Sequence, residues 1–109
     1  MAQFDVHRNK GPLKEYIPFV VLVQSSLFDD YRRRVVVPLA RRTTLPAHTG
    51  TAGSRMHPVF EVDGITVVLH PLDMVSVAVD QLGAHVASLA EFGQDIADAL
   101  DELLTRSLG

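Results

Sequence analysis

Cysteine and tryptophan are both absent from this 109-residue chain. Without cysteine, a disulfide scaffold and every thiolate metal site are excluded, and the chain is compatible with a reducing compartment. Long apolar runs are missing as well: the longest, residues 17–23, contains Pro18 and is far too short to span a bilayer. No basic segment leads into an apolar stretch at the start, so we expect no secretory signal. These absences predict a cytoplasmic protein without membrane association.

Each half of the sequence is poor in charge of one sign. Residues 1–55 hold nine of the ten lysines and arginines and four acidic residues, a net charge of +5. Residues 56–109 hold Arg106 and nine acidic residues, a net charge of −8. Two interpretations stay open: two surfaces with different electrostatic preferences, or two halves that face and neutralise each other.

Strand patterns dominate residues 2–77. Residues 16–23 and 33–39 are rich in β-branched side chains, and Pro38 is expected to stop the second of these strands. Asp63-Gly64 stands between two β-rich runs and predicts a hairpin with a type I′ turn. Residues 41–54 carry threonine, glycine and proline without an apolar period, which predicts a loop or a poorly ordered hairpin.

An apolar stripe near the end of the chain predicts a helix over about residues 82–106. Its members fall at spacings of three, four or seven: Leu82, Val86, Leu89, Ile96, Leu100 and Leu103. Gly93 interrupts the buried side of this stripe and would permit close approach to a neighbouring element. Strands followed by one helix predict a mainly-β or α+β fold, a small barrel of antiparallel strands formed by residues 1–109 as a single domain.

No pattern of catalytic or metal-binding residues stands out. The five histidines have no helical i, i+3 or i, i+4 pairing, and the sequence contains no phosphate-binding glycine loop and no Gly-x-Ser-x-Gly elbow. We therefore predict no catalytic residue, no metal and no cofactor. Arg32, Arg33, Arg34, Arg41 and Arg42 form a basic concentration, which suits either contact with a phosphate backbone or a strand edge kept soluble by charge.

Several stretches together resemble the CcdB family of bacterial toxins. They are residues 3–6 at the start, residues 23–25 with Asp29, residues 33–40 (RRVVVPLA), residues 56–59 with Asp63-Gly64, residues 73–77, and Asp95-Ile96. Each piece alone is weak, but their order and spacing span nearly the whole chain.

The resemblance implies a homodimer with an SH3-like barrel of the CcdB/MazF type and a long C-terminal helix. Family members bind the A subunit of DNA gyrase and trap the cleaved DNA complex, and a CcdA-like antitoxin removes them by folding onto them. No catalytic residue is needed for this mode of action. Operator DNA would be reached through the antitoxin, with no nucleic-acid specificity in the toxin itself.

The resemblance also gives a candidate target-binding set, and its last positions depart from the family. Gyrase-poisoning members end in Trp-Gly-Ile, whereas this chain has Thr105-Arg106-Ser107 there and no tryptophan. The matching positions are Leu27, Phe28, Asp101, Leu104, Thr105 and Arg106. An acidic ridge predicted on the helix is a candidate antitoxin-binding surface: Glu91, Asp95, Asp98 and Glu102.

Two alternatives stay open beside a gyrase poison. One is a MazF-type endoribonuclease, whose chemistry would use an arginine from residues 32–42 with Thr43, Thr44 or His57 to activate a ribose 2′-hydroxyl. The other is a relative that has lost toxicity and binds only the antitoxin.

Overall fold

A computed structural model of the chain describes residues 2–25, 27, 32–42 and 54–104. Within them lie seven strands: β1 (Asp5–Asn9), β2 (Phe19–Leu22), β3 (Arg33–Arg41), β4 (Val59–Val62), β5 (Ile65–Leu69), β6 (Val75–Ala78) and β7 (Leu82–Ser88). One α-helix, α1 (Gly93–Leu104), follows the last described strand, and short 3-10 turns cover Pro71–Asp73, Val79–Gln81 and Ala90–Phe92.

The seven strands form one antiparallel sheet in the order β4-β5-β3-β2-β1-β7, with β6 pairing with β3. The sheet curls into a half-barrel, and α1 packs against one of its faces. The predicted fold class, antiparallel strands with a C-terminal helix, is confirmed. None of the helices in the described residues has the length and apolarity needed to cross a membrane.

Strand β3 does not stop at Pro38, contrary to the sequence prediction, but continues to Arg41. One edge of β3 changes partner at this point: β6 pairs as far as Val36, and β5 begins to pair at Leu39. Pro38 lies in the gap between these two partners, so its missing N–H leaves no ladder bond unmade there. Its carbonyl accepts a hydrogen bond from the main-chain N–H of His70, at 3.0 Å.

The predicted hairpin is confirmed. Val62 pairs with Ile65 across the two turn residues Asp63 and Gly64, whose φ angles are 51° and 78°. Both angles lie in the left-handed region that a type I′ turn needs, which explains why Asp-Gly is placed there.

The predicted helix is wrong over its first half. Residues 82–88 form β7, which pairs with β1, and α1 begins at Gly93 after the 3-10 turn. Leu82 and Val86 are four residues apart, a spacing that satisfies both the period of a strand and that of a helix. Pairing with β1 selects the strand, and a β-bulge at His7 adjusts the register.

The core has two parts because alternate strand residues point to opposite faces of the sheet. The larger part joins Phe19, Val21, Val37 and Leu39 of the central strands to Ile96 of α1. The smaller part lies on the opposite face, and it comprises Val20, Leu22 and Val36 with Val77 and Leu82 packed against them.

Gly93 makes the close approach that the sequence predicted. A Cβ atom at this position would lie 2.6 Å from Cε2 of Phe4. The glycine is buried, and the ring of Phe4 occupies the space that a side chain would need. The start of α1 is thereby fixed against the first residues of the chain.

Candidate interaction surfaces

The acidic side chains predicted to form one ridge are divided between two elements. Asp95, Asp98 and Glu102 lie on α1, whereas Glu91 lies in the preceding 3-10 turn. Arg55, just before β4, forms an ion pair with Glu102 at 3.1 Å (Nε to Oε2) and approaches Asp98 at 4.0 Å. The ridge is therefore partly neutralised from within the chain, a contact that nothing in the sequence pattern indicated.

A second ion pair also joins the basic first half of the sequence to the acidic second half. Arg8 contacts Asp63 at 3.3 Å (Nη2 to Oδ2), and both side chains are half exposed. Together with the contact between Arg55 and the acidic side chains of α1, this ion pair favours the interpretation in which oppositely charged regions face each other. At such exposure each pair contributes at most about 1 kcal/mol to stability.

The predicted target-binding residues lie partly outside the described structure. Leu27 is 84% exposed, and Leu104, at the end of α1, is 56% exposed. Asp101 is exposed on the same helix. Phe28, Thr105 and Arg106 lie outside the described residues. The two described leucines thus present apolar surface to solvent, as residues that bind a partner must.

The arginines proposed for ribonuclease chemistry are engaged in structural contacts. Arg33 donates from Nε to the hydroxyl of Ser76 at 2.9 Å and from Nη2 to its carbonyl at 2.6 Å. Arg34 is buried, with 4% of its surface exposed, and Nη1 donates to the carbonyl of Arg33. Thr43 and Thr44 lie outside the described residues.

His57 lies beside a second histidine. Its ring packs edge-on against His70, with 5.4 Å between centroids, and its Nδ1 lies 3.3 Å from the hydroxyl of Ser54. The main-chain N–H of His70 donates to the carbonyl of Pro38 at 3.0 Å, which places this pair of histidines beside β3.

Four of the five histidines form two pairs that their sequence spacing did not indicate. Besides His57 and His70, His7 on β1 packs edge-on against His85 on β7 at 5.5 Å between centroids. His7 is buried, and its Nδ1 donates to the carbonyl of Gly83. In the described part of the chain, no three histidine or carboxylate side chains come together as metal ligands. The register of β1 against β7 brings His7 opposite His85, and register is not visible in sequence spacing.

Acidification is expected to destabilise the fold through His70. Burial lowers the pKa of His70 below its usual 6.5, the neighbouring His57 lowers the pKa further, and Asp73 raises it. A lowered pKa in the folded state means that the unfolded chain binds the proton more readily. The contribution to stability is therefore fully present above pH 6.5 and is lost as pH falls through the folded pKa.

Urea unfolding measured above and below pH 6.5 checks this expectation. His70→Gln should reduce the loss of stability on acidification, and Asp73→Asn should increase it because the carboxylate no longer favours the charged imidazole. An unchanged pH dependence in both variants would rule out His70 as its source.

The half-barrel with a helix packed on it is also found in a solved structure. The chain is similar to a solved structure described as an endoribonuclease in complex with its cognate antitoxin from Mycobacterial species. The TM-score is 0.72 and the identity 14%, and the match covers 97% of this chain and 96% of the other. At this identity the likeness shows the fold alone.

Sequence comparison identifies the family. The family model described as CcdB protein matches residues 3–106. The chain belongs to the CcdB family, a family of toxin–antitoxin toxins. No protein with a curated description matches the sequence.

Proposed function

We propose that this protein is the toxin of a type II toxin–antitoxin pair and that it acts as a homodimer by binding the A subunit of DNA gyrase and trapping the cleaved DNA complex. The observation that carries the proposal is the family match over residues 3–106. A CcdA-like antitoxin would neutralise it. Binding alone accounts for this action, and no catalytic residue is required of the chain.

The exposed leucines are the described candidates for contact with the target. Leu27 and Leu104 expose large apolar side chains, and such side chains contribute favourable free energy when a partner removes them from water. Asp101 lies three residues before Leu104 on α1 and would add a charged contact, together with Phe28, Thr105 and Arg106. In the absence of tryptophan, the apolar contact would depend chiefly on these leucines.

Expression of the protein alone in a bacterial host is expected to arrest growth. Purified protein should convert plasmid DNA and gyrase into a trapped cleavage complex, scored as linear DNA after detergent and protease treatment.

Leu27→Asp and Leu104→Asp should each weaken gyrase binding about tenfold or more because a carboxylate would be desolvated at the contact. Leu13→Asp is the matched control, since Leu13 is also exposed but lies outside the proposed contact.

Growth arrest without a trapped complex would exclude gyrase as the target. No arrest in any host, with antitoxin binding retained, would instead indicate a relative that binds only its antitoxin.

The acidic side chains Glu91, Asp95, Asp98 and Glu102 are proposed to receive a basic antitoxin segment. Asp95 and Asp98 line a cavity with Ser54, Arg55 and Pro58. An incoming arginine would compete there with Arg55, which already pairs with this surface. Co-expression of the antitoxin should restore growth, and reversing the charges of Asp95 and Asp98 should weaken that rescue.

A MazF-type endoribonuclease is the second candidate, favoured by the fold similarity to an endoribonuclease. Incubation with defined single-stranded RNA separates the two functions: specific cuts would support the nuclease. Arg33→Ala is the informative variant. Arg34→Ala is less informative because Arg34 is buried, and its removal is expected to destabilise the fold.

A further inference from the structure

A groove runs over the face of the sheet opposite to α1, and its two parts adjoin. One part is an apolar pocket of about 150 Å³, and the other is a wider basic cavity of about 630 Å³. Arg8, Asn9 and Leu82 line both. The two parts therefore form one continuous surface with an apolar end and a basic end.

The apolar end is built on the smaller core. Val36 and Val75 are cross-strand partners on β3 and β6, and Pro38 and Val77 lie on the same side of the sheet. Val75 is 49% exposed, so part of this apolar surface faces solvent. The pocket has room for one aliphatic side chain.

The basic end gathers lysines from the turn that follows β1. Lys10 and Lys14 line the wider cavity, whereas the guanidinium of Arg8, which also contributes to the wall, lies 5.8 Å from the Phe19 ring of the larger core and pairs with Asp63. Lys10 donates from Nζ to the main-chain carbonyl of Asp80 at 3.2 Å, which is a neutral acceptor. Positive charge thus exceeds negative charge along the lining of this cavity.

We propose that this groove binds a peptide segment in which acidic residues flank one apolar anchor residue. The anchor would enter the pocket beside Val75, and the carboxylates would meet Lys10 and Lys14. The inference rests on the proposed function for the source of the peptide, a segment of the neutralising antitoxin. With a basic segment on α1, such an antitoxin would contact both faces of the sheet.

The lining favours a peptide over a nucleic acid. Single-stranded nucleic acids bind through cations combined with aromatic platforms on which the bases stack. The described residues that line the two cavities include no aromatic side chain. A shaped apolar pocket suits an aliphatic side chain instead.

The test uses a fluorescently labelled synthetic peptide with one leucine flanked by aspartate and glutamate, titrated with the full-length protein. We expect saturable binding that weakens as salt is raised. Val75→Asp, and separately Lys10→Glu combined with Lys14→Glu, should each raise the Kd about tenfold or more. Leu72→Asp should bind the peptide as the unaltered protein does, because Leu72 is exposed but lines neither cavity.

A peptide of opposite charge distinguishes a loss of charge complementarity from misfolding of the variant. A peptide with lysines around the same leucine should bind the Lys10→Glu, Lys14→Glu protein better than it binds the unaltered protein. Equal affinity for a peptide with serine in place of leucine would overturn the proposal. So would tighter binding of a single-stranded oligonucleotide that depends on the lysines but not on Val75. Because the assay requires no toxicity, a failure to arrest growth would count against the proposed function and leave this result standing.

Discussion

Replacing Leu39 with alanine is expected to lower the free energy of unfolding by about 2–5 kcal/mol. Leu39 is completely buried, and it pairs with Phe19 on one side and Leu69 on the other. Removing three carbon atoms there leaves a cavity between the sheet and α1 that rigid neighbours cannot fill. For a chain of this size the loss would be a large share of the total stability, which is typically about 5–15 kcal/mol.

Leu13→Ala is the matched control for this prediction. The chemical change is identical, but the side chain of Leu13 is 57% exposed, so we expect less than about 1 kcal/mol. Urea denaturation of both variants at neutral pH gives the comparison. If the two substitutions cost the same, Leu39 does not belong to the core.

Gly93→Val is expected to destabilise the protein by about 1–3 kcal/mol through overpacking. A Cβ atom would lie 2.6 Å from Cε2 and 2.9 Å from Cδ2 of the Phe4 ring, closer than carbon atoms can approach. Glycine is otherwise unfavourable in helices, so a substitution at an unconstrained position would be neutral or stabilising. The sign of the change therefore reports the contact with Phe4.

A double-mutant cycle isolates that contact. In a Phe4→Ala background the space beside Gly93 is open, and Gly93→Val should cost less than it does in the unaltered protein. Thermal unfolding of the four proteins measures the coupling. Additive effects would mean that the Phe4 ring moves aside at no cost and does not fix the start of α1.

The hairpin could be predicted because its cause is local. Two adjacent residues, Asp63 and Gly64, supply the positive φ angles, and the flanking strands need no distant information to pair. The prediction that Pro38 ends β3 was wrong because the effect of this proline is not local. Its effect on β3 depends on which strand lies beside it, and that neighbour changes from β6 to β5 where the proline occurs.

Parts of the candidate surfaces could be predicted from the sequence, and other parts could not. The resemblance selected Leu27 and Leu104, and both are exposed. It did not reveal that Arg55 reaches α1, nor that the lysines of the first turn lie beside an apolar pocket on β3 and β6. Those neighbours are distant in sequence, and only strand pairing brings them together.

The residues alone were enough to predict the family, the antiparallel class of the fold, the turn at Asp63-Gly64 and the helical conformation of residues 93–104. They were not enough for residues 82–88, whose apolar spacing suits a strand and a helix equally, and there pairing with β1 selects the strand. Long-range packing also determines which charges meet. Local conformation follows from neighbouring residues, whereas register and distant contacts follow from the burial of one shared core.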